Sequence, residues 1–188
     1  MSDPFGLLET DRLFLRPISS DDLDFVFRHF SDAEVGKYLV DDDPVTTLSQ
    51  AQAIVEFYVE SSSRSFNRWI LVRKLDNQPI GTCGFHKWNQ RHHTAEIGYD
   101  LSRLAWGQGY MSEALRCMIE FGFGVLRLNR IEAVVHPANE ASLRLLERHR
   151  FRREGLMREV LCQDGTYYDH WLLSLLSKDW RSAVLEDH

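Results

Sequence analysis

The sequence predicts a mixed α/β fold of one domain: a central, mostly antiparallel sheet of about seven strands flanked by about four helices. Three observations predict it. Apolar residues alternate or run continuously in seven short segments, the signature of strands. Two longer segments, Met111 to Leu126 and Asn139 to His149, carry apolar residues at helical spacing. The order in which these alternate, β-α-α-β-β-β-α-β-α-β-β, builds one layered unit, with no linker, repeat or low-complexity stretch to divide the 188 residues. The whole chain, 1–188, reads as a single domain with its core at about 9–180.

Arg12 to Ile18 alternates and opens as a strand. Ser19 or Ser20 caps a helix that runs to Phe30, with Asp21 and Asp22 in its first turn. Ala51, Ile54, Val55 and Tyr58 fall at helical spacing and place a second helix over Leu48 to Tyr58. Phe66 to Arg73 is a strand, Lys74 to Pro79 is turn chemistry, and Ile80 to Trp88 returns as the hairpin partner, interrupted by Gly81 and Gly84. Thr94 to Leu101 is the next strand. Met111, Ala114, Leu115, Met118, Gly122, Val125 and Leu126 then line one side of a helix. Arg130 to His136 is a buried strand, and Asn139 to His149 a helix with Ala141, Leu145 and Leu146 facing inward. Arg152 to Leu161 and Tyr167 to Leu176 close the sheet around the hairpin signal Asp164-Gly165. Residues from Ser177 onward read as a tail.

Composition narrows the function. A net charge of −6 with dispersed Lys and Arg lacks the basic face of a nucleic-acid binder. No stretch approaches the ~20 apolar residues that span a bilayer. Met1-Ser2-Asp3-Pro4 has neither a basic region nor an apolar run, so the expected location is the cytoplasm. Cys83, Cys117 and Cys162 are scattered and odd in number, which fits reduced thiols rather than a disulfide framework or a metal site. His86, His92, His93, His136 and His170 match no compact ligand spacing, so no metal is expected. Asp41-Asp42-Asp43 reads as a solvated loop that can also steer a cationic substrate.

The most informative segment joins the strand ending at Leu101 to the helix beginning near Met111. Gly107 and Gly109 let the backbone approach a ligand closely and take torsions a side chain disfavours. The first turn of the helix leaves N–H groups without partners, and the helix dipole favours negative charge there. A diphosphate suits such a place. Backbone amides of Gly107, Gly109, Tyr110 and Met111 are the expected contacts, with Gln108 and Arg103 as side-chain candidates. Upstream, Glu96 lies in an otherwise apolar strand leading to this loop. Partial desolvation would raise its pKa and suit it as a base; the alternative is a structural carboxylate paired with a neighbouring cation.

Several segments together resemble a known family. Glu9-Thr10-Asp11-Arg12-Leu13-Phe14-Leu15-Arg16, Ala95-Glu96-Ile97-Gly98-Tyr99, Trp106-Gly107-Gln108-Gly109-Tyr110-Met111-Ser112-Glu113-Ala114, and Asn139-Glu140-Ala141-Ser142 with Leu145-Leu146-Glu147-Arg148 and Phe151 are similar, in order and spacing, to motifs of GCN5-related N-acetyltransferases (GNAT), in the ribosomal-protein-alanine (RimJ/RimL-like) branch. The likeness runs from about Glu9 to Trp180. It implies the GNAT fold and transfer of an acetyl group from acetyl-CoA to a primary amine, with coenzyme A pyrophosphate on the glycine loop. It further implies that a backbone N–H near Tyr99 to Leu101, with Leu101 the first choice, polarises the thioester carbonyl. Asn139 holds the pantetheine arm, a role compatible with its being an N-cap. Three places depart from the family. Leu104 stands where Gln or Arg often begins the loop. Leu146 stands where a Tyr protonates the leaving thiolate, which makes Ser142, one turn earlier, the substitute unless it is a small packing residue. Arg150 replaces the usual Gly before Phe151.

An N-terminal α-amine has a pKa near ~8 and needs less help to lose its proton than a lysine amine near ~10.4. That favours the N-terminus of a protein or peptide as acceptor. A small amine such as a polyamine, an aminoglycoside or an amino-acid derivative is the alternative, and a non-catalytic acetyl-CoA sensor a third reading. Aromatics near Tyr167 to Trp171 are compatible with a homodimer.

Overall fold

A computed structural model describes residues 4–39, 44–60 and 65–186, with side chains through 182. The acidic run Asp41 to Asp43 lies outside the described residues. The strands are β1 (Leu8–Glu9), β2 (Leu13–Pro17), β3 (Trp69–Arg73), β4 (Gln78–Asn89), β5 (Thr94–Leu101), β6 (Arg130–Val135), β7 (Arg152–Gln163) and β8 (Thr166–Leu176). The helices are α1 (Leu23–Phe30), α2 (Ala33–Gly36), α3 (Leu48–Val59), α4 (Tyr110–Gly124), α5 (Glu140–Arg148) and α6 (Ser177–Glu186). The mixed sheet matches the expected class, with one strand and two helices more than the sequence pattern gave.

The extra elements have simple causes. β1 is two residues long, too short to show a period. α2 is a single turn started by Asp32, whose carboxylate accepts the Glu34 N–H. The segment read as a tail is α6, anchored by Trp180 against Phe123 at 5.2 Å. The first expected helix opens as a 3-10 turn over Ser20–Asp22 before α1 proper. In α5 the inward residues are Leu143, Leu145 and Leu146, whereas Ala141 is exposed. Arg150 takes φ +67, so the turn keeps a left-handed residue where glycine would sit without strain.

The sheet order is β1-β2-β3-β4-β5-β6-β8-β7. Every pairing is antiparallel except β5 with β6. Its two faces carry two cores. Leu13, Leu15, Trp69, Leu71, Phe85 and Ile97 pack against α4 and α5 residues such as Ala114, Met118 and Leu146. Ile18, Ile70 and Val72 pack on the other face against α1 and α3 through Phe25, Val26, Ala51 and Val55. β3 is apolar at successive positions because both its faces are covered.

The parallel pair organises the molecule. β5 and β6 are in register only at Thr94↔Arg130, Ala95↔Ile131 and Glu96↔Glu132. Beyond that point β5 stays with β4 as far as Gly81↔Leu101, and β6 stays with β8 as far as Val135↔Trp171. The two strands therefore keep their outer partners and lose each other. A wedge opens in the middle of the sheet toward their carboxyl ends, where ligands of open α/β sheets bind. α4 begins after β5 and α5 after β6, so both helix N-termini stand at the mouth of this wedge.

Candidate functional site

The loop at the start of α4 is shaped by backbone torsion. Gly107 has φ +72 and Gly109, the residue before the helix, φ +81. No atom lies within 4 Å of where a Gly107 Cβ would stand, so its backbone faces open space. The first intrahelical bond runs from Glu113 N to Gly109 O at 3.1 Å. Helix geometry leaves the N–H groups of Tyr110, Met111 and Ser112 without intrahelical acceptors. Tyr110 and Met111 send their side chains into the core, which fixes the turn from below.

Side chains brace this loop rather than fill it. Gln108, expected at phosphate, donates its amide to Leu104 O at 2.7 Å. Leu104 itself is 92% exposed, so the family's polar residue at that place is not replaced by a packing contact. Arg103 is exposed in a 3-10 turn on the approach to the loop. Trp106 donates its indole N–H to Leu101 O at 2.7 Å, tying the end of β5 to the loop.

Arg12 was not among the expected site residues, and the structure places it here. Its Nη1 donates to Gln108 O at 3.0 Å, its Nε to Glu113 Oε2 at 2.6 Å, and its guanidinium lies 4.6 Å over the Tyr110 ring. Glu113 also accepts from Thr10 Oγ1 at 2.5 Å and from Arg12 N at 2.8 Å. Burial works against the Glu113 carboxylate, but these donors hold its pKa below the ordinary value. The turn between β1 and β2 thus clamps the first turn of α4 and adds a cation beside the loop. An Arg in an alternating strand carries no local signal of such a role, because its partners are about a hundred positions away.

The wedge is lined from both sides. Asn139 caps α5 by accepting the Ser142 N–H at 3.2 Å. Ser142 Oγ is hydrogen-bonded to Tyr99 Oη at 2.8 Å, a contact that crosses from β5 to the first turn of α5. Burial pushes the Tyr99 phenol up, against a smaller opposing effect of Ser142, so it stays protonated. Leu146, where many members of the resembled family carry a tyrosine, is fully buried in the core. Glu96 is at the last paired position before the strands part. Its Oε2 accepts from Lys87 Nζ at 2.8 Å, and His86 and Glu132 are its neighbours across the sheet. The carboxylate is therefore ion-paired rather than set in apolar surroundings, and the pairing is with a lysine.

The face of β5 opposite Tyr99 holds a buried polar cluster that sequence reading missed. Asp100 Oδ1 meets His29 Nε2 at 2.5 Å and accepts from Thr82 N at 2.9 Å. Its Oδ2 accepts from Thr82 Oγ1 at 2.6 Å and from Arg68 Nη1 at 3.5 Å. His29 Nδ1 reaches Ser102 Oγ at 3.0 Å. Burial opposes the Asp100 carboxylate most, yet His29, Arg68 and Thr82 together carry its pKa below the usual range. Among the expected site residues, the loop from Gly107 to Met111, Leu101 and the Asn139–Ser142 turn all gather around the wedge and its mouth. Glu96 stands at its closed end.

Comparison with known proteins follows the same outline. The Acetyltransferase (GNAT) domain family matches residues 12–152. The uncharacterized N-acetyltransferase p20 of Bacillus licheniformis is 40% identical over 174 residues, 92% of this chain and 97% of that one. The [ribosomal protein uS5]-alanine N-acetyltransferase of Escherichia coli is 30% identical over 183 residues, 92% of each chain. Spermidine N-acetyltransferase from Vibrio cholerae, solved with CoA and spermine, shares the fold with a TM-score of 0.80 at 19% identity, covering 92% of this chain and 99% of that one.

Proposed function

The chain belongs to the GNAT family of acetyltransferases, and on that premise we propose that it transfers an acetyl group from acetyl-CoA to the N-terminal α-amine of a protein or peptide. The observation that carries the cofactor half is the wedge: two parallel strands part beyond Glu96↔Glu132 with a glycine turn and two helix N-termini at the opening. The residues present fit coenzyme A. Backbone N–H groups of Gly107 to Met111, with Arg12 and Arg103 beside them, suit the pyrophosphate. Asn139 stands at the wedge mouth for the pantetheine arm, and Leu101 lies at the end of β5 for the thioester carbonyl. Bound there, acetyl-CoA supplies an activated acyl group and a thiol leaving group.

The acceptor reading rests on chemistry and likeness. Glu96 takes the proton of the amine, directly or through water, and must exchange Lys87 for the substrate to do so. A carboxylate is a mild base, which matches an amine of pKa near ~8 better than one near ~10.4. The relative at 30% identity acts, by its name, on the alanine of a ribosomal protein.

A thiol-release panel tests the proposal. Peptides with free N-termini should be turned over faster than N-blocked lysine peptides and than spermidine. Glu96→Gln should lower kcat about 100-fold while acetyl-CoA affinity changes less than twofold. Faster turnover of spermidine would move the acceptor to the small amines. Unchanged kcat in Glu96→Gln would remove Glu96 from proton transfer. Tight acetyl-CoA binding without turnover of any amine would favour a sensor.

A further inference from the structure

We propose that Tyr99 is a positioning residue for departure of the thiolate, acting through Ser142 to aim a hydrogen bond at the sulfur. This rests on the acetyl-transfer reading above and goes beyond it in naming how the leaving group is held. The contact that carries it is Tyr99 Oη to Ser142 Oγ at 2.8 Å, between residues 43 positions apart. One belongs to β5 and the other to the first turn of α5, so the pair spans the elements that flank the wedge.

A hydroxyl has one hydrogen and two acceptor sites. Either hydroxyl can donate in this pair, and in the relay Tyr99 is the donor. When Tyr99 donates to Ser142 Oγ, the single Ser142 hydrogen is released from that contact and directed elsewhere. Ser142 N is already committed to Asn139 Oδ1, which fixes the turn and limits where the hydroxyl can swing. Chained hydrogen bonds polarise one another, so the Ser142 O–H becomes a better donor than it would be alone. Ser142 is the only hydroxyl in α5, and Leu146 offers carbon in a closed core. Burial keeps the phenol protonated, so its hydrogen is available to Ser142 Oγ throughout the neutral range.

Acyl transfer forms a C–N bond, breaks the C–S bond and leaves that electron pair on sulfur; the surplus amine proton goes to Glu96 or solvent. The Ser142 hydrogen bond stabilises the charge on sulfur without giving up its proton. Tyr99 keeps its own proton and touches no reacting atom.

The test is the ionisation of the thiol of bound coenzyme A, read from thiolate ultraviolet absorbance against pH, alongside kcat. The wild-type complex should hold the thiol pKa below its value in solution. Tyr99→Phe keeps the ring and removes the donor; it should raise that pKa by about one unit and lower kcat about tenfold, with KM for acetyl-CoA within twofold. Ser142→Ala should do the same, and adding Tyr99→Phe to it should change nothing further. Ser142→Thr keeps a hydroxyl and should retain the low value, which covers the case of a poorly folded Tyr99→Phe. A bound thiol at its solution pKa, or an equal Tyr99→Phe effect in the Ser142→Ala background, overturns the relay while leaving the acetyl-transfer reading in place. Failure of the wild type to bind coenzyme A would take down both.

Discussion

Leu104 to Ser112 and Glu96 to Leu101 are neighbours in the chain, and they hold their shape by different means. The loop depends on two left-handed glycines and a helix that starts where its amides have no partner. Its side chains point away or brace the backbone, as Gln108 does on Leu104 O. The strand depends on side chains that reach distant elements: Tyr99 to Ser142 in α5, and Asp100 to His29 in α1, 71 positions away. A site made of backbone tolerates a change of side chain, as at exposed Leu104. A site made of side chains is only as good as its partners. Substitutions should therefore act through torsion in the loop and through lost partners in the strand.

Asp100→Asn is the strongest challenge to that contrast. The side chain is 7% exposed and faces His29, Arg68 and Thr82. Removing the charge leaves buried partners uncompensated, and unfolding free energy should fall by about 3 kcal/mol. The sign with pH follows from the lowered carboxyl pKa. Its contribution is present above the unfolded value near ~3.9 and is lost as pH falls through the folded value. Urea melts should show the variant far weaker than wild type at neutral pH and converging with it in acid. Equal stability at neutral pH would mean the cluster is incidental and the strand is held by its ladder alone.

Gly109→Val tests the loop by the opposite route. A Cβ there meets only Arg12 Nη2 at 3.4 Å, so steric room exists and the difficulty is φ +81 with a branched side chain. Strain of about 2 kcal/mol and the blocked approach should weaken acetyl-CoA binding about thirtyfold by calorimetry. The acidic limb of stability set by Asp100 should not move. Normal affinity in a folded variant would show that the loop does not need its left-handed turn.

The difference also explains what could be read in advance. Gly107 to Met111 was legible because glycines, a strand before and a periodic helix after are local facts. The alternation of Arg12 to Ile18 and the stripe from Met111 to Leu126 placed their elements for the same reason. The Tyr99–Ser142 contact was not legible: Ser142 stood out only as a substitute for a missing hydroxyl, and no spacing ties it to a strand residue. His29 sits in an amphipathic helix, where a histidine on the buried side looks like any other core residue. Glu96 illustrates the limit from the other direction. Its apolar sequence neighbours suggested desolvation, but the residue beside it in space is Lys87, which belongs to the adjacent strand. The helix over Ser177–Glu186 was missed because its anchor among the described side chains is Trp180 on Phe123, a long-range contact that no local spacing announces.

Arg12→Ala is the smallest and the most discriminating change, because Arg12 belongs to both kinds of construction. It is a side chain from the distant β1–β2 turn, yet what it braces is the loop, through Gln108 O and the Glu113 carboxylate. Glu113 keeps Thr10 Oγ1 and the backbone N–H at position 12 after the substitution, so the clamp is loosened rather than opened. The Arg12 side chain is 47% exposed, and solvent screens its pairing, so global stability should drop by less than about 0.5 kcal/mol. Acetyl-CoA affinity should weaken more than that, about fivefold, since a cation beside the proposed pyrophosphate site is lost together with the brace. Arg12→Lys separates the two contributions: a lysine restores charge but not the fork that holds Glu113 and Gln108 O at once. Affinity recovered by Lys assigns Arg12 to electrostatics at the phosphate. Affinity still low with Lys assigns it to the shape of the loop, and the backbone-built site would then depend on a side chain after all.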